Sequence, residues 1–282
     1  MKVAYLGPAG TFSSDALKEA TSGERIEEAP AASIFDAILA VENGNAERAL
    51  VPFENSTEGS VRSTLDALAF DTADVAIVGE YDFTVRTSLM ARQEIPLDQV
   101  EAVLSHPQAS AQCARFIREN LPNAAVRGAP STSDAVRQVS ESSEPWAALG
   151  AASAAELFGC AILREGVEDE PDNVTRFVWL APAGTEAGGE GPWKTSLVFA
   201  ELGDDHPGAL VDALAEFSSR GVNLSRIESR PLRQGLGRYM FFLDIEGAST
   251  DEVVAAALDG LRSKAESVRL LGSYPQRAAG IP

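Results

Sequence analysis

Most residues able to do chemistry in this sequence fall in four short segments, each where an apolar run ends and a helical pattern begins. They are GPAGTFSSD at 7–15, FENSTEGS at 53–60, SHPQASAQC at 105–113 and STSD at 131–134. Each offers hydroxyls and main-chain N–H groups at the start of a helix, where unpaired donors and the helix dipole both favour an anion. Ser, Thr, Asn and Asp are also the ordinary N-caps, and for any one segment capping is the simpler role. Four together imply room for a small polyanion such as a dicarboxylate, but name no reaction. Glu54, Glu58, Asp15, Asp134 and His106 are the titratable groups on these loops. No G-x-S-x-G elbow, P-loop or dinucleotide fingerprint is present. Hydride transfer, phosphoryl transfer and metal-assisted hydrolysis lose support, and chemistry by positioning and hydrogen bonding remains.

The elements that must carry these loops alternate. Short strands are read at 2–6, 49–52, 75–78, 82–91, 100–105, 146–150 and 174–180, with helical periodicity between them. Val61, Leu65, Leu68 and Ala69 share one helix face, as do Cys113, Phe116 and Ile117. This alternation predicts an α/β domain with mostly parallel strands, whose ligands collect at the strands' carboxyl ends. Residues 181–192, APAGTEAGGEGP, are aperiodic and rich in Gly and Pro, and read as a linker. Beyond it come a strand at 194–201, a helix marked by Leu210, Leu214 and Phe217 that stops at Gly221, strands at 222–230 and 238–246, a helix over 250–264 and a strand at 268–271. That order, βαββαβ, is the ferredoxin-like arrangement.

The 282 residues suffice for one large or two ordinary domains, and 45% are apolar. No run approaches the eighteen apolar residues of a membrane span. The N-terminus lacks the pattern of a signal peptide, so a cytoplasmic protein with no membrane partner is expected. Cys113 and Cys160 are read as small core residues, and the two histidines, His106 and His206, show no zinc-site spacing with them. The net charge of −19, from 42 acids and 23 bases of which four are lysines, argues against a nucleic-acid partner. It also demands local positive potential at any anion site.

NVTRF at 173–177 resembles the N-x-T-R-F signature of prephenate dehydratases. YLGPAGTFS at 5–13, VPFENSTEGSV at 51–61 and SHPQASAQC at 105–113 are similar to that family's other segments. GALV at 208–211 and ESRP at 228–231 resemble the two motifs of an ACT regulatory domain. The resemblance spans residues 2 to 275, in order. It implies a two-lobed catalytic domain like a type II periplasmic binding protein over 1–181, with lobe one at 1–78 and 164–181 and lobe two at 82–160. Crossovers would lie near 75–82 and 160–164, the linker at 182–193, and a ferredoxin-like ACT domain at 194–273. It further implies conversion of prephenate to phenylpyruvate without metal or cofactor, inhibition by L-phenylalanine, a homodimer or homotetramer, and a monofunctional chain.

In the implied site, Thr175 donates a hydrogen bond to the departing ring oxygen. Asn55, Ser105 and Gln112 bind substrate carboxylate or carbonyl oxygens, with Thr11 and Ser13 of the opening segment beside them. Glu54 is either a proton source or a hydrogen-bond acceptor behind the site. Arg176 pairs with a substrate carboxylate or with a loop acid, and Phe177 shields the ring or packs in the core. His106 reads as structural. For the inhibitor, Gly208, Ala209, Leu210 and Val211 would receive the carboxylate, with Asn223, Leu224, Glu228, Ser229, Arg230 and Pro231 lining the facing subunit's side. Arogenate dehydratase and a non-catalytic amino-acid or solute sensor are the alternatives.

Overall fold

Sheet formation begins at once, because residues 2–6 alternate between two buried faces. A computed structural model describes residues 1–22, 24–189, 191–202 and 207–276, so His206 lies outside the described residues. The first lobe runs β1 (Lys2–Leu6), α1 (Phe12–Ala20), β2 (Glu27–Ala31), α2 (Ile34–Glu42), β3 (Arg48–Asn55), the two-residue β4 (Gly59–Ser60), α3 (Arg62–Asp66), a π-turn over Ala67–Asp71, and β5 (Val75–Thr84). The second runs β6 (Ser88–Ala91), β7 (Ala102–Ser105), α4 (Pro107–Gln112), α5 (Ala114–Asn120), β8 (Ala125–Gly128), α6 (Thr132–Glu141), β9 (Trp146–Gly150), α7 (Ala152–Phe158) and β10 (Ala161–Arg164). The chain then returns to the first lobe as β11 (Val174–Pro182).

Each lobe repeats one plan. The main path of the first sheet is β2-β1-β3-β11-β5, and the second sheet is β8-β7-β9-β6-β10. In both, three parallel strands meet one antiparallel strand that enters from the other lobe. This is the two-lobed α/β class expected, with crossovers placed later than the sequence suggested. β5 continues to Thr84 because Phe83 and Val85 still have lobe-one core to enter. The lobes are therefore joined by 85–87 and 165–173, and the single strand read at 82–91 is two. Strands β2 and β8 went unread for a shared reason: they are edge strands whose residues are mostly exposed, so they show no apolar alternation. Both cysteines pack against lobe-two core clusters, and burial, with Asp169 and Glu168 nearby, pushes the Cys113 thiol up to about 12.

The remaining elements are β12 (Trp193–Ala200), α8 (Ala209–Ser218), β13 (Leu224–Pro231), β14 (Tyr239–Glu246), α9 (Glu252–Arg262) and β15 (Ser267–Pro275). Their sheet, β13-β14-β12-β15, is antiparallel and has the ferredoxin-like order. One face packs on α8 and α9 through Leu197, Phe199, Leu243 and Ile245. Its other face brings Val198, Met240, Phe242 and Tyr274 into the same buried cluster as Val51, Phe53, Ile77 and Val178 of the first lobe. The Gly/Pro-rich segment thus joins two domains that share a core. No helix among the described residues is long and apolar enough to cross a membrane.

The seam is tight at Gly272, where an added Cβ would sit 2.0 Å from the Ile77 carbonyl oxygen. Backbone cannot rotate out of the way as a side-chain tip can. Gly272→Ala is therefore expected to destabilise the protein by about 1–3 kcal/mol, the usual effect of overpacking, read as a lowered thermal midpoint.

Candidate functional site

β3 and β11 are antiparallel neighbours, with Thr175 opposite Asn55 and Arg176 opposite Glu54. Successive strand residues point to opposite faces. The first pair therefore turns toward the interlobe cleft, and the second toward the C-terminal domain.

On the cleft face the Asn55 side chain is the organising group. Its Oδ1 accepts from the Thr57 N–H at 3.0 Å, the Thr57 hydroxyl at 2.7 Å and the Glu58 N–H at 3.1 Å. These three donors fix which end of the amide is oxygen. Nδ2 must then donate, and it does so to Asn173 Oδ1 at 2.7 Å and Thr175 Oγ1 at 2.9 Å. Asn173 is 2% exposed, and its own Nδ2 donates to Gln112 Oε1 at 3.3 Å. Gln112 Nε2 closes the circuit on Glu58 Oε1 at 2.6 Å. Because Gln112 ends α4 of the second lobe, the chain of amides crosses the cleft. Because Thr175 Oγ1 accepts from Asn55, the hydroxyl proton is left free to donate to something else.

A cavity of about 330 Å³ lies against this network, lined by Thr57, Glu58, Gln112, Arg115, Asp169 and Asn173 among others. It also holds Glu168 and Glu170, so carboxylates dominate it. Arg115, the one cation among its described lining residues, donates to the Asp169 carbonyl at 2.7 Å and lies 3.5 Å from Glu170. Such an acid-rich lining does not favour an anion. Positive potential for a dianion falls to the helix N-termini. The Ala9–Gly10 turn before α1 meets α6 and α7, with Ser133 Oγ donating to the Ala9 carbonyl at 2.6 Å and the Gly10 Cβ position 3.4 Å from Ala154 Cα.

Of the residues named from sequence, Thr175, Asn55 and Gln112 are brought together. Asn173 and Thr57 complete their network and were missed, and Glu58, read only as a titratable loop group, joins them. Asn173 opens the signature motif, but an Asn after Pro171 and Asp172 reads as a turn residue, and only burial reveals its role. Thr11 caps α1, accepting from the Ser14 N–H at 3.3 Å and donating to the Pro8 carbonyl at 2.9 Å, with Ser13 buried beside it. His106 caps α4, its Nδ1 accepting from the Gln108 N–H at 3.3 Å.

Four residues named from sequence sit away from the cleft network, and among them Phe177 takes its core-packing alternative and Arg176 its pairing with acids. Ser105 is fully buried and donates to the Leu149 carbonyl at 2.8 Å, stapling strands of the second sheet. Phe177 is 2% exposed and meets Phe83 edge-to-face at 6.3 Å, so it packs in the core beneath α1. Glu54 and Arg176 occupy the opposite face of the sheet from Thr175. Arg176 Nη1 lies 2.6 Å from Asp244, Nη2 donates to the Tyr274 hydroxyl at 2.8 Å, and Nε is 2.7 Å from Glu80. Burial works against this guanidinium's charge, but Tyr274, Asp244 and Glu80 more than offset it and hold the arginine firmly protonated. Glu54 is 3.6 Å from Arg176 and 3.5 Å from Arg226 of the C-terminal domain.

In the C-terminal domain Gly208 caps α8 at φ 100°, a left-handed conformation that suits glycine, and Ala209, Leu210 and Val211 form the first turn. Val211 is 68% exposed. Asn223 donates to Glu246 at 2.8 Å, while Leu224 packs partly into the domain core. Glu228, Ser229 and Pro231 lie on β13, whose other long edge is unpaired among the described residues. Arg230 on the same strand is committed elsewhere, with Nη2 2.8 Å from both Asp66 oxygens in the first lobe. Arg230 thereby ties this domain to the first lobe.

The family model "Prephenate dehydratase" matches residues 3–185, and "ACT domain" matches 197–263. The prephenate dehydratase of Mycobacterium tuberculosis H37Rv is 39% identical over 283 residues, covering 98% of this chain and 87% of that protein. Among solved structures, prephenate dehydratase from Arthrobacter aurescens in complex with L-Phe superposes with a TM-score of 0.89 at 39% identity, over 100% of this chain and 93% of that one. GqqA, described as a novel type of quorum quenching acylase, superposes at 0.85 with 32% identity over 98% of both chains. With its oriented amide network, its two-lobed fold and these relatives, the chain belongs to the prephenate dehydratase family, with a C-terminal ACT domain.

Proposed function

We propose that this chain converts prephenate to phenylpyruvate, with loss of water and carbon dioxide, under inhibition by L-phenylalanine at its ACT domain. The observation that carries the chemistry is the Asn55–Thr175 hydrogen bond, which leaves the threonine proton to point at a ligand. As the ring carboxylate leaves as carbon dioxide, its bonding electrons complete the aromatic ring, and the C–O bond to the ring hydroxyl breaks. Negative charge then grows on the departing oxygen. A donor already aimed there stabilises the transition state more than the ground state. A threonine hydroxyl is too weak an acid to surrender its proton outright, so it donates a hydrogen bond to the departing hydroxide, which takes its proton from solvent water. Glu54 lies on the far face, which supports reading it as an acceptor rather than as a proton source. The helix N-termini around the cleft hold the two carboxylates.

The acylase named among the relatives raises a second chemistry on this fold. Acyl transfer needs a nucleophile activated by a base. The hydrogen bond found on the Thr175 side chain comes from an amide, which favours dehydration. We further place the enzyme in the cytoplasm as a homodimer or homotetramer. The edge of β13 that is unpaired among the described residues, with exposed Ile227, and exposed Val211 on α8 support self-association through the ACT domain.

Phenylpyruvate formation should be followed with prephenate and arogenate in parallel. Preferred turnover of prephenate is expected, and an enzyme that leaves prephenate intact would defeat the proposal. L-Phenylalanine should also raise the thermal midpoint, since a ligand at one hundred times its Kd adds about 2.7 kcal/mol of stability. No shift at millimolar phenylalanine would refute sensing.

A further inference from the structure

The two side chains at the centre of the cleft network stand back to back with two that touch the regulatory domain. Thr175 and Asn55 pair across β11 and β3 on one face, and the next pair along, Arg176 and Glu54, faces the other way. The regulatory domain grips that second pair. Asp244 and Tyr274 hold Arg176, and Ser196 Oγ ties them together, donating to Asp244 at 2.6 Å and lying 2.8 Å from the Tyr274 hydroxyl. Arg226 reaches Glu54 at 3.5 Å and Ser60 Oγ at 2.5 Å. Ser60 and Glu54 pair as β4 and β3 in the hairpin in which Asn55 pairs next, with Gly59, and Thr57 and Glu58 lie in the turn. Arg176 and Arg226 each lie 5.0 Å from the Phe53 ring.

We propose that Arg176, with Glu54, is a positioning element through which the ACT domain sets the geometry of Thr175 and Asn55. Its anchors are Asp244, Tyr274 and Arg226. One residue step along a strand is about 3.3 Å, and a strand paired on both sides transmits displacement rather than absorbing it. β11 is paired on both sides, by β3 and β5. A shift of β14 or β15 against the first lobe therefore pulls Arg176, and Thr175 moves with it. The ACT domain needs no contact with the substrate to slow the reaction. This rests on the dehydratase and phenylalanine-sensing reading above.

The test uses the full chain with Asp244→Asn and Tyr274→Phe, the second of which removes one oxygen and keeps every charge. Turnover of prephenate is measured with and without saturating L-phenylalanine, and phenylalanine binding is read separately by thermal shift. In both variants phenylalanine should still bind. The residual rate under saturating inhibitor, relative to the uninhibited rate, should rise by about tenfold, a coupling of ordinary allosteric size. The change should appear in kcat with KM for prephenate held. Arg176→Lys, which keeps the charge but loses the fork, should fall between the unaltered protein and the other variants. Folded variants that bind phenylalanine and keep the unaltered inhibition ratio overturn the proposal while leaving the function intact. An unaltered protein inactive on prephenate overturns the function, and this proposal with it.

Discussion

Thr175→Ala is expected to lower kcat for prephenate by about 10²–10³ while the protein stays folded, the usual effect of deleting one donor aimed at developing charge. The fold should survive because the hydroxyl is not the sole partner of anything it touches. Asn55 Nδ2 keeps its bond to Asn173 Oδ1, and Asn55 Oδ1 keeps its three donors. Removing Asn55 instead would strand the Thr57 and Glu58 N–H groups and collapse the loop, so that variant could not separate chemistry from structure. Thr175→Ser should retain most activity, since it preserves the oxygen that Asn55 holds. Thr175→Val, close in shape, should behave like alanine. The discriminating measurement is kcat against KM. A residue acting only in the transition state changes kcat and kcat/KM together, whereas one that binds substrate uniformly raises KM alone. Near-normal turnover in Thr175→Ala would remove this residue from the mechanism.

What could be read before the structure follows a physical division. Burial periodicity is local, so β1, β9 and the ACT elements were legible from apolar spacing. The edge strands β2 and β8 carry no such signal and were silent. The neighbours Thr175, Arg176 and Phe177 show the limit at the site. Their motif marks a functional strand, but a motif does not say which side of the sheet each residue faces. Alternation predicts that only every second residue shares the cleft, and that weighs against Arg176. It cannot add that the far side belongs to another domain, because the partners Asp244 and Tyr274 are 68 and 98 residues away. Glu54 obeys the same rule: it sits next to Asn55 in a motif, and adjacency in a strand means opposite faces, which leaves it the acceptor role behind the site. Asn173 was missed differently. Its role depends on being buried between two other amides, one of them from the second lobe, and no local pattern encodes that.

Arg176→Met is expected to destabilise the protein by about 3–5 kcal/mol, because it leaves a buried carboxylate without its counter-charge. The orphan is Asp244. Its side chain is 1% exposed, and its remaining support is the Ser196 hydroxyl and the charge of Arg226. Glu80 suffers less, since Lys194 Nζ stays at 2.7 Å from it. Adding Asp244→Leu to Arg176→Met should restore much of the loss, because two apolar side chains avoid the desolvation that the lone carboxylate incurs. The pH dependence gives an independent check. In the unaltered protein burial tends to raise the Asp244 pKa, but Arg176 and Ser196 outweigh it and hold the pKa below the ordinary value. The pair's contribution is then complete above the unfolded pKa of about 3.9 and is lost as pH falls through the lower folded value. In Arg176→Met, with only Ser196 and Arg226 left against it, burial is expected to dominate and to carry the folded pKa above the unfolded one. Protonation now favours the folded state, so the deficit measured at neutral pH should shrink as the solution is acidified toward about pH 4. Equilibrium unfolding of the two proteins across that range decides the matter. A deficit that is constant with pH, or a double variant no more stable than Arg176→Met, would mean that Asp244 is not the group Arg176 neutralises.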